Sequence, residues 1–270
     1  MTVGSEKVVL HSGEYSGSIS SLRKIEGIIT GTTTYSENNF NTEFHYHSNP
    51  HLSFVLQGGN IESRKKQSIE RKAGDMMFFH SGEIHQTLPG TLRTKNMNLE
   101  LEYAFLNKYN ISEEQVSVII EQNIDSKFWM LKMYKELIEN DSFSDSSIQL
   151  LLLSAIAKPM NGKQHTRPEW IKTLAEVLQD EWDKFHSLDE LSLVLNIHPV
   201  TISKYFTKSF GCTLGEYMRK LKIEKSLSLI QNSSLSLTEI ALACGFADQS
   251  HFTRNFKRLT GQLPKEFQKL

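Results

Sequence analysis

The chain has 270 residues, 39% of them hydrophobic and 23% charged, with a formal net charge of −1, a composition that suits a soluble globular protein with room for two ordinary domains. The opening MTVGSEKVVL has neither the basic start nor the apolar block of a secretory signal, and the longest near-apolar run, residues 148–157, is shorter than the ~20 residues that cross a bilayer. Cys212 and Cys244 lack CxxC spacing and read as small core residues in a reducing cytoplasm. A cytoplasmic chain with no membrane contact is therefore expected.

Residues up to about 101 read as short β-strands. Phe44-His45-Tyr46-His47 alternates, Leu52-Ser53-Phe54-Val55-Leu56 follows, and Gly58-Gly59 turns the chain. Arg64-Lys65-Lys66-Gln67 reads as a solvated hairpin tip, Ala73-Gly74-Asp75 as a turn, and residues 76–79 as another strand. Frequent turns between short strands predict a sandwich or small barrel. From Ser112 the pattern turns helical: Ser112-Glu113-Glu114-Gln115 carries an N-cap serine and an acceptor three residues on. Apolar residues at helical spacing (Phe128, Leu131, Leu137) and then residues 148–156 add about two more helices. Residues 159–168, bracketed by Pro159 and Pro168 without an apolar period, read as a linker. The expected organisation is a β-domain over 1–105, connecting or dimerising helices over 106–158, the linker, and a helical domain over 169–270.

His45-x-His47-x3-His51 and a later His85 stand out among ten histidines. Four imidazoles can line the pocket of an organic effector at the mouth of the β-domain, with Phe40, Phe44, Phe54, Phe78 and Phe79 as walls, although aromatic residues in strands also serve as plain core. They can equally hold a divalent transition metal such as Zn, Ni, Cu or Fe, brace the β-domain by hydrogen bonds, or sit at the surface of a strand end. No carboxylate completes the usual metal set, so a small-molecule effector is the leading expectation and a metal at His45, His47, His51 and His85 the alternative. The spacing, with Gly58, Gly74, His80 and Gly82, resembles the two cupin motifs. His51 stands where glutamate is usual and His80 where proline is usual. That resemblance implies a β-barrel serving as a ligand-sensing and dimer-forming module.

The last hundred residues repeat themselves. Ser187, Leu188, Glu190 and Leu191 match Ser236, Leu237, Glu239 and Ile240 at an offset of 49, and Ile202, Lys204, Phe206, Gly211 and Glu216 match Phe252, Arg254, Phe256, Gly261 and Glu266 at an offset of 50. Each copy opens on a capping box. Each then breaks after a short helix, at Asn196 or Gly245, residue types that accept a left-handed backbone. A second helix opens at Pro199 or after Asp248. Small residues, Ser192 and Ala241, share one column where the helices must cross. This predicts a helix-turn-helix built twice.

In that motif the start of the second helix meets base edges. Its outward positions are Val200, Thr201, Ser203 and Lys204 in one copy and Gln249, Ser250, His251, Thr253 and Arg254 in the other. Arg254 suits guanine and Gln249 suits adenine. Ile202, Phe206 and Phe210, then Phe252, Phe256 and Leu259, point inward. Near-neutrality does not oppose DNA, because charge is local: residues 168–200 carry two basic and seven acidic groups, net −5, and residues 201–270 carry eleven and five, net +6. A helix over residues 214–231 spans roughly 27 Å at ~1.5 Å per residue, close to the ~34 Å between successive major-groove segments. Arg219, Lys222 and Lys225 on it are candidates for phosphate contact or for a solvated face.

ALACGF-x-D-Q-S-H-F-x-R-x-F-K-R-x-x-G-x-x-P-x-x-F is similar to the second-repeat signature of the AraC/XylS transcriptional regulators, and the resemblance covers residues 170–270. It implies a seven-helix domain with two helix-turn-helix units, base contacts from Val200, Thr201, Lys204, Ser250, His251 and Arg254, and RNA polymerase as a partner. Lys204 departs from the arginine often seen there. The expected protein is thus α+β, a cupin-like β-barrel followed by helices, which binds double-stranded DNA under the control of a small-molecule effector, with a homodimer as a further possibility. The alternative is a metal-dependent cupin enzyme with a helical partner domain. No nucleophile triad, phosphate loop or paired-carboxylate motif appears, so an enzyme is not expected.

Overall fold

The computed structural model describes residues 8–36, 43–64, 67–90, 93–156 and 168–270. Ten strands come first: β1 (Val8–Leu10), β2 (Ser18–Ile25), β3 (Ile28–Tyr35), β4 (His45–His47), β5 (His51–Gln57), β6 (Gly59–Arg64), β7 (Gln67–Lys72), β8 (Met76–Phe79), β9 (His85–Pro89) and β10 (Thr94–Leu101). Four helices follow, α1 (Tyr103–Lys108), α2 (Glu113–Gln122), α3 (Ser126–Glu139) and α4 (Ser144–Ile156). The C-terminal part holds α5 (Glu169–Asp180), α6 (Leu188–Leu195), α7 (Pro199–Phe210), α8 (Leu214–Asn232), α9 (Leu237–Ala243), α10 (Gln249–Thr260) and α11 (Pro264–Phe267). The chain is α+β. Of the expected linker, only Pro168 lies inside the described residues, and Lys65-Lys66 of the hairpin tip lie outside them.

The strands form two five-stranded sheets, ordered β1-β4-β9-β6-β7 and β2-β3-β10-β5-β8. All pairings are antiparallel except β1 with β4. Among the described residues no hydrogen-bonded ladder joins one sheet to the other, so the strands make a sandwich where a closed barrel was one expectation.

Alternation along the second sheet explains its place in the molecule. Leu52, Phe54 and Leu56 of β5 and Met97, Leu99 and Leu101 of β10 are fully buried, and they pack with the helices. The opposite face, carrying His51, Ser53, Asn96, Asn98 and Glu100, is buried but polar and turns toward the first sheet. The apolar core therefore lies outside the sandwich. It continues through Phe105, Phe128, Trp129 and Met133 into Leu227 of α8 and Phe252 and Phe256 of α10. A second, smaller core joins Leu174, Leu178, Leu191, Ile202, Phe206 and Leu221. The first helix-turn-helix thus has its own core, while the second shares one with the β-domain.

Truncating Phe252, which has no solvent exposure, leaves a cavity in that shared core. The expected cost of Phe252→Ala is about 3–5 kcal/mol, read from urea unfolding, and the β-domain and C-terminal probes should shift together.

Candidate functional site

Local chemistry builds both helix-turn-helix units as the repeat predicts. Ser187 and Glu190, and Ser236 and Glu239, form complete capping boxes at the starts of α6 and α9. Asn196 takes a left-handed backbone at φ 54° and Gly245 at φ 67°, turning each chain into its second helix. His198 and Asp248 then cap α7 and α10: the Val200 amide donates to His198 Nδ1 (3.3 Å) and the His251 amide to Asp248 Oδ1 (2.7 Å). Each of these helices has twelve residues and ends on a left-handed glycine, Gly211 or Gly261.

Packing settles which face each second helix shows. Ile202 and Phe206, and Phe252, Phe256 and Leu259, are buried; Phe210 is half-buried. Val200, Ser203, Lys204, Gln249, Ser250 and Arg254 are exposed, and Thr201, His251 and Thr253 are half-buried. The His251 ring stands edge-on to Phe246 at 5.4 Å. Every residue expected to meet bases therefore lies on an accessible part of α7 or α10. Lys222 is differently engaged: its Nζ donates to the Gly245 carbonyl at 3.0 Å and braces the second turn. Lys220, next on α8, pairs with Asp125 at 2.7 Å. One contact was not visible in the sequence: the Thr238 hydroxyl on α9 donates to Gln249 Oε1 at 2.6 Å.

The four singled-out histidines also come together, between the sheets. Register puts His45 of β4 opposite His85 of β9, alternation returns His47 to the face of His45, and His51 enters from β5 of the other sheet. Ring centroids are 4.4 Å apart for His45 and His85 and 4.0 Å for His47 and His51. All four are almost fully buried, so they do not line an open mouth. Ligand atoms of His45, His47 and His85 lie within 4.8 Å of one another. His45 Nδ1 and His85 Nδ1 donate to the Glu43 and Glu83 carbonyls (3.0 and 2.9 Å), a pattern that leaves each Nε2 unprotonated. Burial keeps the imidazoles neutral: with help from neighbouring histidines it drops His47 to about 2 and His85 to about 3, and it holds His45 and His51 low as well.

Two further groups complete this chamber. Glu62 of β6 lines it, with Oε2 accepting from Thr87 at 2.9 Å and Oε1 making no hydrogen bond; burial raises its carboxyl to about 7 against the pull of Arg71. Tyr15 covers it, held by Glu100, which also accepts from the Gly13 amide and Asn49. The space inside takes the centre of a water-sized sphere over only about 10 Å³, room for one water or one ion. The chamber's aromatic lining is Tyr15, Tyr35 and Phe79, so of the expected phenylalanines that are described only one contributes. Phe54 and Phe78 belong to the helix-facing core and Phe44 is exposed; only Phe79 stacks on His51 at 4.6 Å, and Phe40 lies outside the described residues.

A helix-turn-helix domain model matches residues 191–270. The Msm operon regulatory protein of Streptococcus mutans is 25% identical over 240 residues, 81% of this chain and 83% of that protein. The probable transcription factor PqrA of Proteus vulgaris is 33% identical over 99 residues, 37% of this chain and 77% of that protein. A solved AraC-type transcriptional regulator from Chromobacterium violaceum matches 40% of this chain and 95% of its own at 20% identity, with a TM-score of 0.37.

The cap on α10 gives a direct check. Asp248→Ala should cost about 1 kcal/mol in chemical denaturation, and Asp248→Ser should retain the native stability.

Proposed function

We infer that this chain, which belongs to the AraC/XylS family of helix-turn-helix transcriptional regulators, reads an asymmetric DNA site with α7 and α10 under the control of its β-domain. The observation that carries this is the pair of capped second helices, each buried along its phenylalanine face and open along its polar one. Lys204 and Arg254 hold equivalent places, and the two polar faces otherwise differ, so one subunit meets two unlike half-sites. Arg254 offers a two-pronged donor for guanine. The role is regulatory, in keeping with relatives named as an operon regulatory protein and a probable transcription factor. Cytoplasmic location and contact with RNA polymerase follow from the same reading. Exposed Ile138, Phe143 and Leu150 on and beside α3 and α4 offer an apolar face for a homodimer.

The chamber also bears on the effector. A drug-sized organic molecule needs several hundred Å³, far above what the four histidines leave. Three neutral imidazoles with converging ligand atoms, two of them oriented through backbone carbonyls, fit a divalent transition-metal ion. His45, His47 and His85 would hold it, with His51 and Glu62 beside them; bound there, the ion supplies a fixed positive charge in a buried polar interior. The response reaches the DNA-binding half through contacts with α8. Lys127 pairs with Glu224 at 2.6 Å and Asp125 with Lys220 at 2.7 Å, and the β7–β8 turn sits on Leu227: a Cβ added to Gly74 would stand 3.0 Å from the Leu227 Cβ. An effector shifts such an arrangement only by binding its two states unequally.

Two measurements test this reading. Arg254→Ala should weaken binding to a selected cognate duplex roughly tenfold in a gel shift at fixed salt, and unchanged affinity would sink the assignment. Equilibrium dialysis against Zn²⁺ or Ni²⁺, with untagged protein and elemental analysis, should find about one ion per chain. His47→Ala and His85→Ala should each abolish it; equal uptake by these folded variants would remove the histidines from the site.

A further inference from the structure

We propose that Thr238 is a positioning residue for base reading: its hydroxyl holds the Gln249 amide in one orientation at the start of α10, from which it selects a purine. This rests on α10 being a DNA reader. Gln249 is the first residue of α10, directly after the Asp248 cap, and it is exposed. Its backbone is therefore set by the cap, whereas a free glutamine side chain would still sample several rotamers and both faces of its amide. The 2.6 Å hydrogen bond from Thr238 Oγ1 to Gln249 Oε1 removes that freedom. Thr238 is itself well anchored, two residues into α9 and inside the turn closed by the Ser236–Glu239 capping box. Helix start, hydroxyl, amide and recognition helix form one short mechanical chain.

The donor and acceptor inventory then sets the class of base. With one Oε1 lone pair taken by Thr238, the groove is left Nε2 with its two N–H donors and the second Oε1 lone pair. Guanine presents two acceptors in the major groove, O6 and N7. Thymine presents one, adenine places a donor beside its single acceptor, and cytosine offers a donor. Guanine can take two hydrogen bonds from the NH2 group, and adenine two through Nε2 and the second Oε1 lone pair, whereas each pyrimidine offers a single partner. The braced amide therefore favours a purine, which includes the adenine expected from the sequence. The first unit has no counterpart: the positions equivalent to Thr238 and Gln249 are Asp189 and Pro199, which offer neither hydroxyl nor amide. The buttressed reader belongs to the second unit alone.

The test is a selection of bound duplexes from a random-sequence pool with the full chain, at one salt concentration, for the unmodified protein, Thr238→Val, Thr238→Ser and Gln249→Ala, each checked for native circular dichroism. The unmodified protein should show one position that prefers purine over pyrimidine roughly tenfold and that Gln249→Ala flattens. Thr238→Val should flatten it in part, and Thr238→Ser should restore it, with preferences elsewhere unchanged. A Thr238→Val profile identical to the unmodified one overturns the proposal, as does a pyrimidine at the position that Gln249→Ala flattens. Uniform weakening by Gln249→Ala overturns it too, because that marks a phosphate contact. If the unmodified protein enriches no sequence, the assignment of α10 as a reader falls first and the proposal falls with it.

Discussion

One sheet turns its apolar face away from its partner sheet, and the architecture follows from that. Leu52, Phe54, Leu56, Met97, Leu99 and Leu101 have no exposure, yet none faces the interior of the sandwich. At about 1.5–3 kcal/mol for each fully buried large side chain, this strip cannot stand open to water, and the connecting helices cover it. Those helices in turn need covering, and the second helix-turn-helix supplies part of that cover through Phe252, Phe256 and Leu259. The β-domain and the second DNA reader are therefore parts of one apolar core.

The same inversion frees the sandwich interior for polar chemistry. Thr33, Asn96, Asn98, Arg71 and Glu62 are all buried there with the histidines, a composition no ordinary sandwich core would tolerate without dense pairing. Much of that pairing exists: Asn98 donates to Thr33, Thr87 to Glu62, and Glu100 gathers Gly13, Tyr15 and Asn49. Among the buried atoms without a hydrogen-bond partner are His47 Nδ1, His51 Nδ1 and Glu62 Oε1 beside the imidazoles, with Asn60, Arg71 and Asn96 elsewhere in the two sheets. Strand β8 connects this interior to the outer core by simple alternation: Phe79 stacks on His51 while its neighbour Phe78 packs among the helix-facing residues. The turn before β8 is the one that meets Leu227 of α8.

Features governed by local chemistry were legible in the sequence. Capping boxes at Ser112, Ser187 and Ser236, the left-handed Asn196 and the Pro199 start all act within a few residues, and all appear where the sequence puts them. The histidines were legible as a group because register and alternation bring them together without long-range surprises. Their surroundings were not. Glu62 arrives from a strand whose only outward apolar residue is Ile61, an inverted alternation in Asn60-Ile61-Glu62 that carries the signal but reads as an ordinary solvated strand. Phe54 and Phe78 read from sequence as pocket wall or, more often, as plain core, because nothing short-range says which sheet face will receive helices; they are core. Thr238 and Gln249 lie eleven residues apart across the turn, a separation that only the folded motif closes.

The division of cores gives the two readers unequal standing. Each has the same scaffold, but α7 rests on a core whose buried residues all come from the C-terminal half, with α5, α6 and the first part of α8, and with Ile124 at its edge. By contrast α10 packs on α3 and α8 within the core that reaches the sheet beneath the histidines. A rearrangement of the β-domain thus bears first on the second reader. It reaches the first less directly, through Ile124 and Trp182 at the edge of that smaller core and through α8, whose Lys222 braces the turn at Gly245. The second reader also carries Arg254 and the braced Gln249, where the first has Lys204 and Pro199. On the proposed reading, specificity and control converge on one unit, leaving the other to supply affinity and register.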